Sequence, residues 1–187
     1  MNTNDICKKI VEELDFALGS IGEAEGEQFV KEVLAAEKIF VAGAGRSLLM
    51  IRGFAMRLMH LGFQAYVVGE TVTPAIGEKD LLVIASGSGE TGTLTVMANK
   101  AKKAGARLAA ITIYPESTIG KLADRVVQIK AATTKGERDS VRSFQPGANM
   151  FEQSLLLFGD AVIIQIIREC HIEEENKKLM QRHANLE

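Results

Sequence analysis

The sequence predicts a three-layer α/β/α sandwich around a five-stranded parallel sheet, and three observations carry that expectation. Short runs such as Leu81-Leu82-Val83-Ile84-Ala85 are apolar at every position, as strands buried on both faces must be. They alternate with longer segments whose apolar residues recur at three- and four-residue intervals, the mark of amphipathic helices. Glycine-rich turns separate the two kinds of segment, the order expected of βα units with helices on both sides of a sheet. At 187 residues and 47% hydrophobic, the chain has the size of one domain, enough to bury about two-thirds of its unfolded surface.

Residues 1–37 read as two N-terminal helices. The first covers 5–18, with Ile6, Ile10, Leu14 and Ala17 in phase, and the second covers 25–36, with Phe29, Val33 and Leu34. The core, 38–170, opens with a strand at 38–42, a turn at Gly43-Ala44-Gly45 and a helix at 47–61. Strands follow at 65–68 and 81–85, a Ser/Gly loop leads to a helix at 90–104 stopped by Gly105, and strands at 108–113 and 125–129 complete the five.

From 130 to 147 the pattern gives way to a polar segment with Lys130, Lys135, Arg138 and Arg142 against Glu137 and Asp139. A loop of this length is usually functional or disordered; a solvated surface loop is the plainer alternative. The helix expected at 148–170 is apolar on nearly every side, from Leu155 and Phe158 to Ile166 and Ile167, and such a helix must be buried on every side. A domain this small needs a second subunit to do that, so a homo-oligomer is expected. Residues 171–187 read as a charged helical tail with Leu179 as one of few anchors. No repeat or linker divides the chain, which is expected to form one domain over 1–187.

Charge and cysteine content narrow the function. With 22 basic against 24 acidic residues, the protein lacks the overall field that draws nucleic acid or an anionic membrane, so neither is expected as a partner. Cys7 and Cys170 lack CxxC or zinc-knuckle spacing, which suits reduced thiols inside a cell. No basic segment leads into an apolar run at the N-terminus, so the expected location is cytoplasmic. Uncharged stretches such as 81–89 are about half the ~20 residues that cross a bilayer.

In a parallel sheet, ligands bind beyond the carboxyl ends of the strands where strand order reverses. Two loops qualify. The loop after the 81–85 strand reads Ser86-Gly87-Ser88-Gly89-Glu90-Thr91: its glycines allow a tight turn and its hydroxyls gather where a helix begins. First-turn N–H groups and the positive dipole end favour an anion there. Ser88 or Thr91 could simply cap the helix, but three hydroxyls and two glycines exceed what a cap requires, which points to phosphate. The other loop, Gly43-Ala44-Gly45-Arg46-Ser47, begins like a dinucleotide fingerprint but has Leu48 where GxGxxG needs glycine. Arg46 and Ser47 are instead placed to add a guanidinium and a hydroxyl to the phosphate site, a surface ion pair being the alternative for Arg46.

These motifs, together with Phe151-Glu152-Gln153-Ser154 opening the long apolar helix, resemble the 6-phospho-3-hexuloisomerases of the SIS (sugar isomerase) family over essentially the whole chain. The Ser/Gly loop marks SIS domains in general; the set GAGRS, SGSGET and FEQSLL at these spacings is far more specific. The resemblance implies the SIS fold with flavodoxin-like strand order. It also implies interconversion of D-arabino-3-hexulose 6-phosphate and D-fructose 6-phosphate, without a cofactor, in the ribulose monophosphate pathway of formaldehyde fixation. The pathway partner would be 3-hexulose-6-phosphate synthase, and a homotetramer with sites near subunit interfaces is implied.

Within that resemblance Glu152 matches the catalytic base of the family, although an acidic residue in a first turn also simply complements the helix dipole. Glu90 is expected to orient substrate hydroxyls. His60 lies roughly 20 Å along its helix from Ser47, too far for its own chain's pocket. A catalytic part for it, if any, is expected across a subunit boundary, and a histidine favourable to the helix C-terminus is the equal alternative. His171 and His183 form no metal-ligand pattern and no HExxH occurs, so no metal is implied. The remaining alternatives are an arabinose 5-phosphate or sedoheptulose 7-phosphate isomerase of the same fold, and a non-catalytic sugar-phosphate-binding module.

Overall fold

The computed structural model describes residues 1–133, 141–172, 179 and 181–186. Five strands, β1 (Lys38–Gly43), β2 (Gln64–Val67), β3 (Leu81–Ala85), β4 (Arg107–Thr112) and β5 (Arg125–Gln128), form one sheet in the order β2-β1-β3-β4-β5. Every pairing is parallel. The uniformly apolar runs become the central strands, with β3 buried at every residue.

Among the described residues the helices that cover the sheet are α1 (Thr3–Gly19), α2 (Glu23–Leu34), α3 (Gly45–Leu61), α4 (Gly92–Lys103), α5 (Thr118–Leu122) and α6 (Asn149–Glu169). Because successive strand residues face opposite ways, the sheet feeds two cores. Ile39, Val41, Val83 and Ile111 meet Phe29, Phe54, Phe151 and Phe158 beneath α2, α3 and α6, with Ala17 of α1. Phe40, Ile84 and Ala110 meet Leu94, Ala98 and Ile119 beneath α4 and α5. The layers are therefore unequal, and α3 and α6 lie side by side in the thicker one.

α1 and α2 close the β5 edge with side chains. Glu25 Oε2 accepts from the Gln128 N–H at 3.0 Å and Ser20 Oγ accepts from the Lys130 N–H at 3.0 Å. Glu32 pairs with Arg107 and Arg125. The Glu25 and Ser20 contacts satisfy backbone donors that a bare sheet edge leaves open.

Within one chain α6 leaves Leu156, Leu157 and Ile164 38%, 40% and 51% exposed, because an outer-layer helix turns only one face to the core; one domain was not expected to bury the other face. By length and composition α6 is also apolar enough to cross a bilayer, yet half of its apolar window is buried in the domain. The helix expected at 90–104 starts at Gly92, with Thr91 as its N-cap, so Glu90 stands outside it. The short helix α5 was not expected, being too brief to show a period; Ser117 Oγ caps it by accepting from the Gly120 N–H at 3.2 Å.

Cys7 and Cys170 are exposed free thiols. Lys135, Glu137, Arg138 and Asp139 of the expected loop, and residues 173–178, 180 and 187 of the expected tail, lie outside the described residues.

Candidate active site

β1 and β3 are neighbours although β2 lies between them in sequence, so strand order reverses between them. Gly43 pairs with Ala85 at their carboxyl ends. The loops that follow, one carrying Arg46 and Ser47 and the other running from Ser86 to Thr91, therefore share one crevice.

The hydroxyl loop is braced by its own side chains. Ser86 is buried, and its Oγ accepts from the Gly89 N–H at 3.1 Å and lies 3.4 Å from Thr91 Oγ1. Ser88 Oγ accepts from the Glu90 N–H at 3.3 Å. Thr91 occupies the N-cap of α4, but its side chain makes no capping hydrogen bond. The ordinary N-cap role is thus not what these hydroxyls perform, and the first turn of α4 has no side-chain acceptor from its N-cap. An anion there would meet backbone N–H groups, hydroxyls and the positive helix end together.

Gly89 is required by its surroundings, and Gly87 lies in close contact with its own. Gly89 has φ +63°, and a Cβ on it would fall 1.9 Å from Ser117 Oγ. A Cβ on Gly87 would stand 3.3 Å from the Phe151 ring and 3.4 Å from Ile113 Cδ1. The Gly87 contact brings the start of α6 against the loop, and Glu152 is the next residue.

Glu152 is 9% exposed. Its Oε2 lies 3.0 Å from Arg46 Nη1, an ionic contact without hydrogen-bond alignment. The same Arg46 nitrogen donates to Asn149 Oδ1, one turn earlier on α6. Arg46 thus bridges the first turns of α3 and α6 while remaining 44% exposed. A buried carboxylate beside a guanidinium, next to an open anion cradle, can accept a proton from a substrate whose phosphate is held nearby. Ser47 is half-buried in the first turn of α3.

Two sequence-derived candidates, Glu90 in the hydroxyl loop and His60 at the far end of α3, have protein partners in this structure. Glu90 accepts from the Thr118 N–H at 2.8 Å and from the Thr118 hydroxyl at 2.7 Å, tying the hydroxyl loop to α5. In this structure its carboxylate is an anchor, and its neighbour across the loop is protein. His60 ends α3, which starts at the carboxyl end of the sheet and runs back toward the other, so it is remote from Glu152. Its ring is 2% exposed, stacks on His183 with centroids 5.5 Å apart, and has an unpartnered Nδ1. Burial, with Arg57 and His183 adding to it, lowers the His60 pKa and favours the neutral ring. Arg182 Nη1 donates to the His60 carbonyl at 3.2 Å, so residues of the tail cover this end of α3.

Asn149 and Thr118 were missed from sequence. Asn149 stands three residues before Glu152 on one helix face, a signal that could have found it; Thr118 had none without α5. Among the described residues no cluster of three or more His, Cys, Asp or Glu could hold a metal ion.

The SIS domain profile matches residues 32–157. The chain is 43% identical to the 3-hexulose-6-phosphate isomerase of Bacillus subtilis over 100% of both chains. It is 47% identical to that of Mycobacterium gastri over 84% of this chain and 77% of the other. Among solved structures, a Methanococcus jannaschii protein, for which a function of 3-hexulose-6-phosphate isomerase was inferred from its crystal structure, superposes with a TM-score of 0.84. It is 30% identical, with 98% of this chain and 99% of that one covered.

Proposed function

We propose, from the premise that the chain belongs to the SIS domain family and within it to the 3-hexulose-6-phosphate isomerases, that it interconverts D-arabino-3-hexulose 6-phosphate and D-fructose 6-phosphate. The observation that carries this reading is the buried Glu152 carboxylate, adjacent in sequence to the Phe151 ring that packs on Gly87 of the hydroxyl loop.

The reaction moves a carbonyl from C3 to C2. Glu152 takes the proton from C2, the electrons of that C–H bond form the C2–C3 double bond of a cis-enediolate, and the C3 carbonyl π electrons move onto O3. The same carboxylic acid returns that proton to C3 on the same face, while the proton of the C2 hydroxyl passes to O3, so that the C2 carbonyl and the C3 hydroxyl form together. The phosphate rests on the first turn of α4 among Ser86, Ser88 and Thr91, with Gly87 and Gly89 allowing its approach and Arg46 and Ser47 flanking it. The 3-ketose has no five-membered ring open to it, since O6 carries the phosphate, so ring opening concerns fructose 6-phosphate alone.

The active form is a homo-oligomer, most simply a tetramer. Supporting this are exposed apolar residues on two adjacent helices, Leu49, Met56 and Met59 of α3 with Leu156, Leu157 and Ile164 of α6, a pattern that marks association surfaces. A catalytic part for His60 is retained only toward a neighbouring copy's site, and it requires His183 to part from the ring. The protein acts in the cytoplasm beside 3-hexulose-6-phosphate synthase, in formaldehyde fixation. Supplying formaldehyde, ribulose 5-phosphate and the synthase, then following fructose 6-phosphate, tests the reading; no product above the synthase-only control sinks it.

A further inference from the structure

The start of α6, which carries Asn149 and Glu152, has no cap of its own. Its N-cap is Ala148, which makes no side-chain capping bond, and the preceding Pro146-Gly147 puts Gly147 at φ +66°. A catalytic first turn entered through such a joint needs its approach fixed from outside.

Glu13, half-buried on α1, supplies that fixation. Its Oε2 accepts from Ser143 Oγ at 2.6 Å and from Gln145 Nε2 at 2.8 Å, while Oε1 accepts from the Phe144 N–H at 2.9 Å. Ser143 Oγ in turn accepts from the Gln145 N–H at 2.9 Å, and Gln145 is 8% exposed. Three consecutive residues are thereby locked to one carboxylate, directly before the joint. We infer that Glu13 is a positioning residue for the isomerase reaction, holding segment 143–145 so that the first turn of α6 presents Glu152 at the phosphate loop.

The hydrogen bonds agree with a charged Glu13. Burial pushes its carboxyl pKa up, but the bonds from Ser143, Gln145 and Phe144 outweigh this and leave it lowered. The clamp also continues a series, since Glu25, Ser20 and Glu13 meet backbone N–H groups of Gln128, Lys130 and Phe144. The N-terminal helices thus follow the chain from the sheet edge to the threshold of α6. Glu13 touches no substrate in this assignment, and its catalytic part rests on Glu152 being the base.

The test compares wild type with Glu13→Ala in the full chain by hydrogen–deuterium exchange and by steady-state kinetics. Exchange across 141–152 is expected to accelerate by about tenfold or more while 86–94 stays as protected as before. The kcat is expected to fall about tenfold or more with KM within about twofold, because the phosphate loop is untouched. Unchanged exchange over 141–152 in folded Glu13→Ala would overturn the clamp, and accelerated exchange with wild-type kcat would overturn its link to catalysis. The exchange arm needs no substrate, so it decides on the clamp even if the wild-type protein does not turn over 3-hexulose 6-phosphate. Should Glu13→Ala fail to fold, Glu13→Gln, which keeps the volume and one acceptor oxygen, is measured in both ways, and the same two results would overturn the clamp or its link to catalysis.

Discussion

Replacing Glu152 with Gln is the sharpest perturbation of the proposed chemistry. The amide keeps the volume of a side chain that is 9% exposed, and its carbonyl oxygen can still face Arg46, which lies 3.0 Å from Oε2. What it loses is a lone pair basic enough to take a proton from carbon. A general base contributes about 10²–10⁴ in rate, equivalent to about 2.7–5.4 kcal/mol of barrier, so kcat should fall by at least about a hundredfold. Stability should change little. The ion pair lost has a partner that is 44% exposed, which makes it worth under about 1 kcal/mol, or about 2–4 °C in midpoint for a chain this size. KM should stay within about threefold, since the phosphate contacts remain. Turnover is followed from 3-hexulose 6-phosphate to fructose 6-phosphate. A second assay incubates fructose 6-phosphate in heavy water and watches deuterium enter at C3, which should slow in the variant. A Glu152→Gln enzyme within about tenfold of wild-type kcat would remove Glu152 as the base.

Other outcomes follow from the same structure. Ser88→Ala removes one hydroxyl from the phosphate cradle and should raise KM about tenfold, the worth of a hydrogen bond to a charged group; an unchanged KM would contradict a direct contact. Gly89→Ala places a Cβ 1.9 Å from Ser117 Oγ at φ +63°. The left-handed backbone costs about 1–2 kcal/mol and displacing the Ser117 cap of α5 about 0.5–2 kcal/mol, so the melting midpoint should drop by roughly 5–15 °C. A wild-type midpoint would show that the loop can shift freely. Stability should also fall on the acid side in two windows, because His60 and Glu13 both bind fewer protons folded than unfolded. The His60 contribution is complete above its ordinary value of 6.5 and fades as pH falls toward the lowered folded value. The Glu13 contribution is complete above 4.5 and is lost as pH falls through its lowered folded value. Urea midpoints against pH should therefore lose the upper limb in His60→Gln and the lower limb in Glu13→Gln. Profiles identical to wild type would contradict both assignments.

The fold was legible in the sequence because its strands advertise themselves. Residues 81–85 are apolar throughout and buried throughout, and Gly105 closes α4 as its position suggested. The hydroxyl loop was legible for the same reason: its residue types are wasted unless a helix N-terminus and a tight turn meet there. What stayed hidden depends on contacts between distant segments. Glu90 carried no sign that its carboxylate accepts from Thr118, which lies on a helix too short to show a period. The apolar circumference of α6 indicated more burial than one domain supplies, but composition alone could not distinguish its core face from its exposed one. Glu13 carried no signal at all, since its partners lie about 130 residues away.

The position of Glu152 is the deepest of these dependencies. The loops after β1 and β3 reach the crevice because parallel strands deliver their loops to one end of a sheet, and any sequence with this alternation would bring them there. α6 is not delivered in that way: it follows β5 after a long connection, and β5 is the strand farthest from the switch point on its side of the sheet. Its first turn reaches the crevice by lying along α3 across the thick face, with Phe151 seated on Gly87 and Phe54 against Gly159. Arg46 then ties the first turns of the two helices together through Asn149 and Glu152. The proposed phosphate grip is thus a property of the sheet, whereas the position of the proposed base is a property of helix packing. Substitutions in the α3–α6 seam should accordingly lower kcat while leaving phosphate affinity intact.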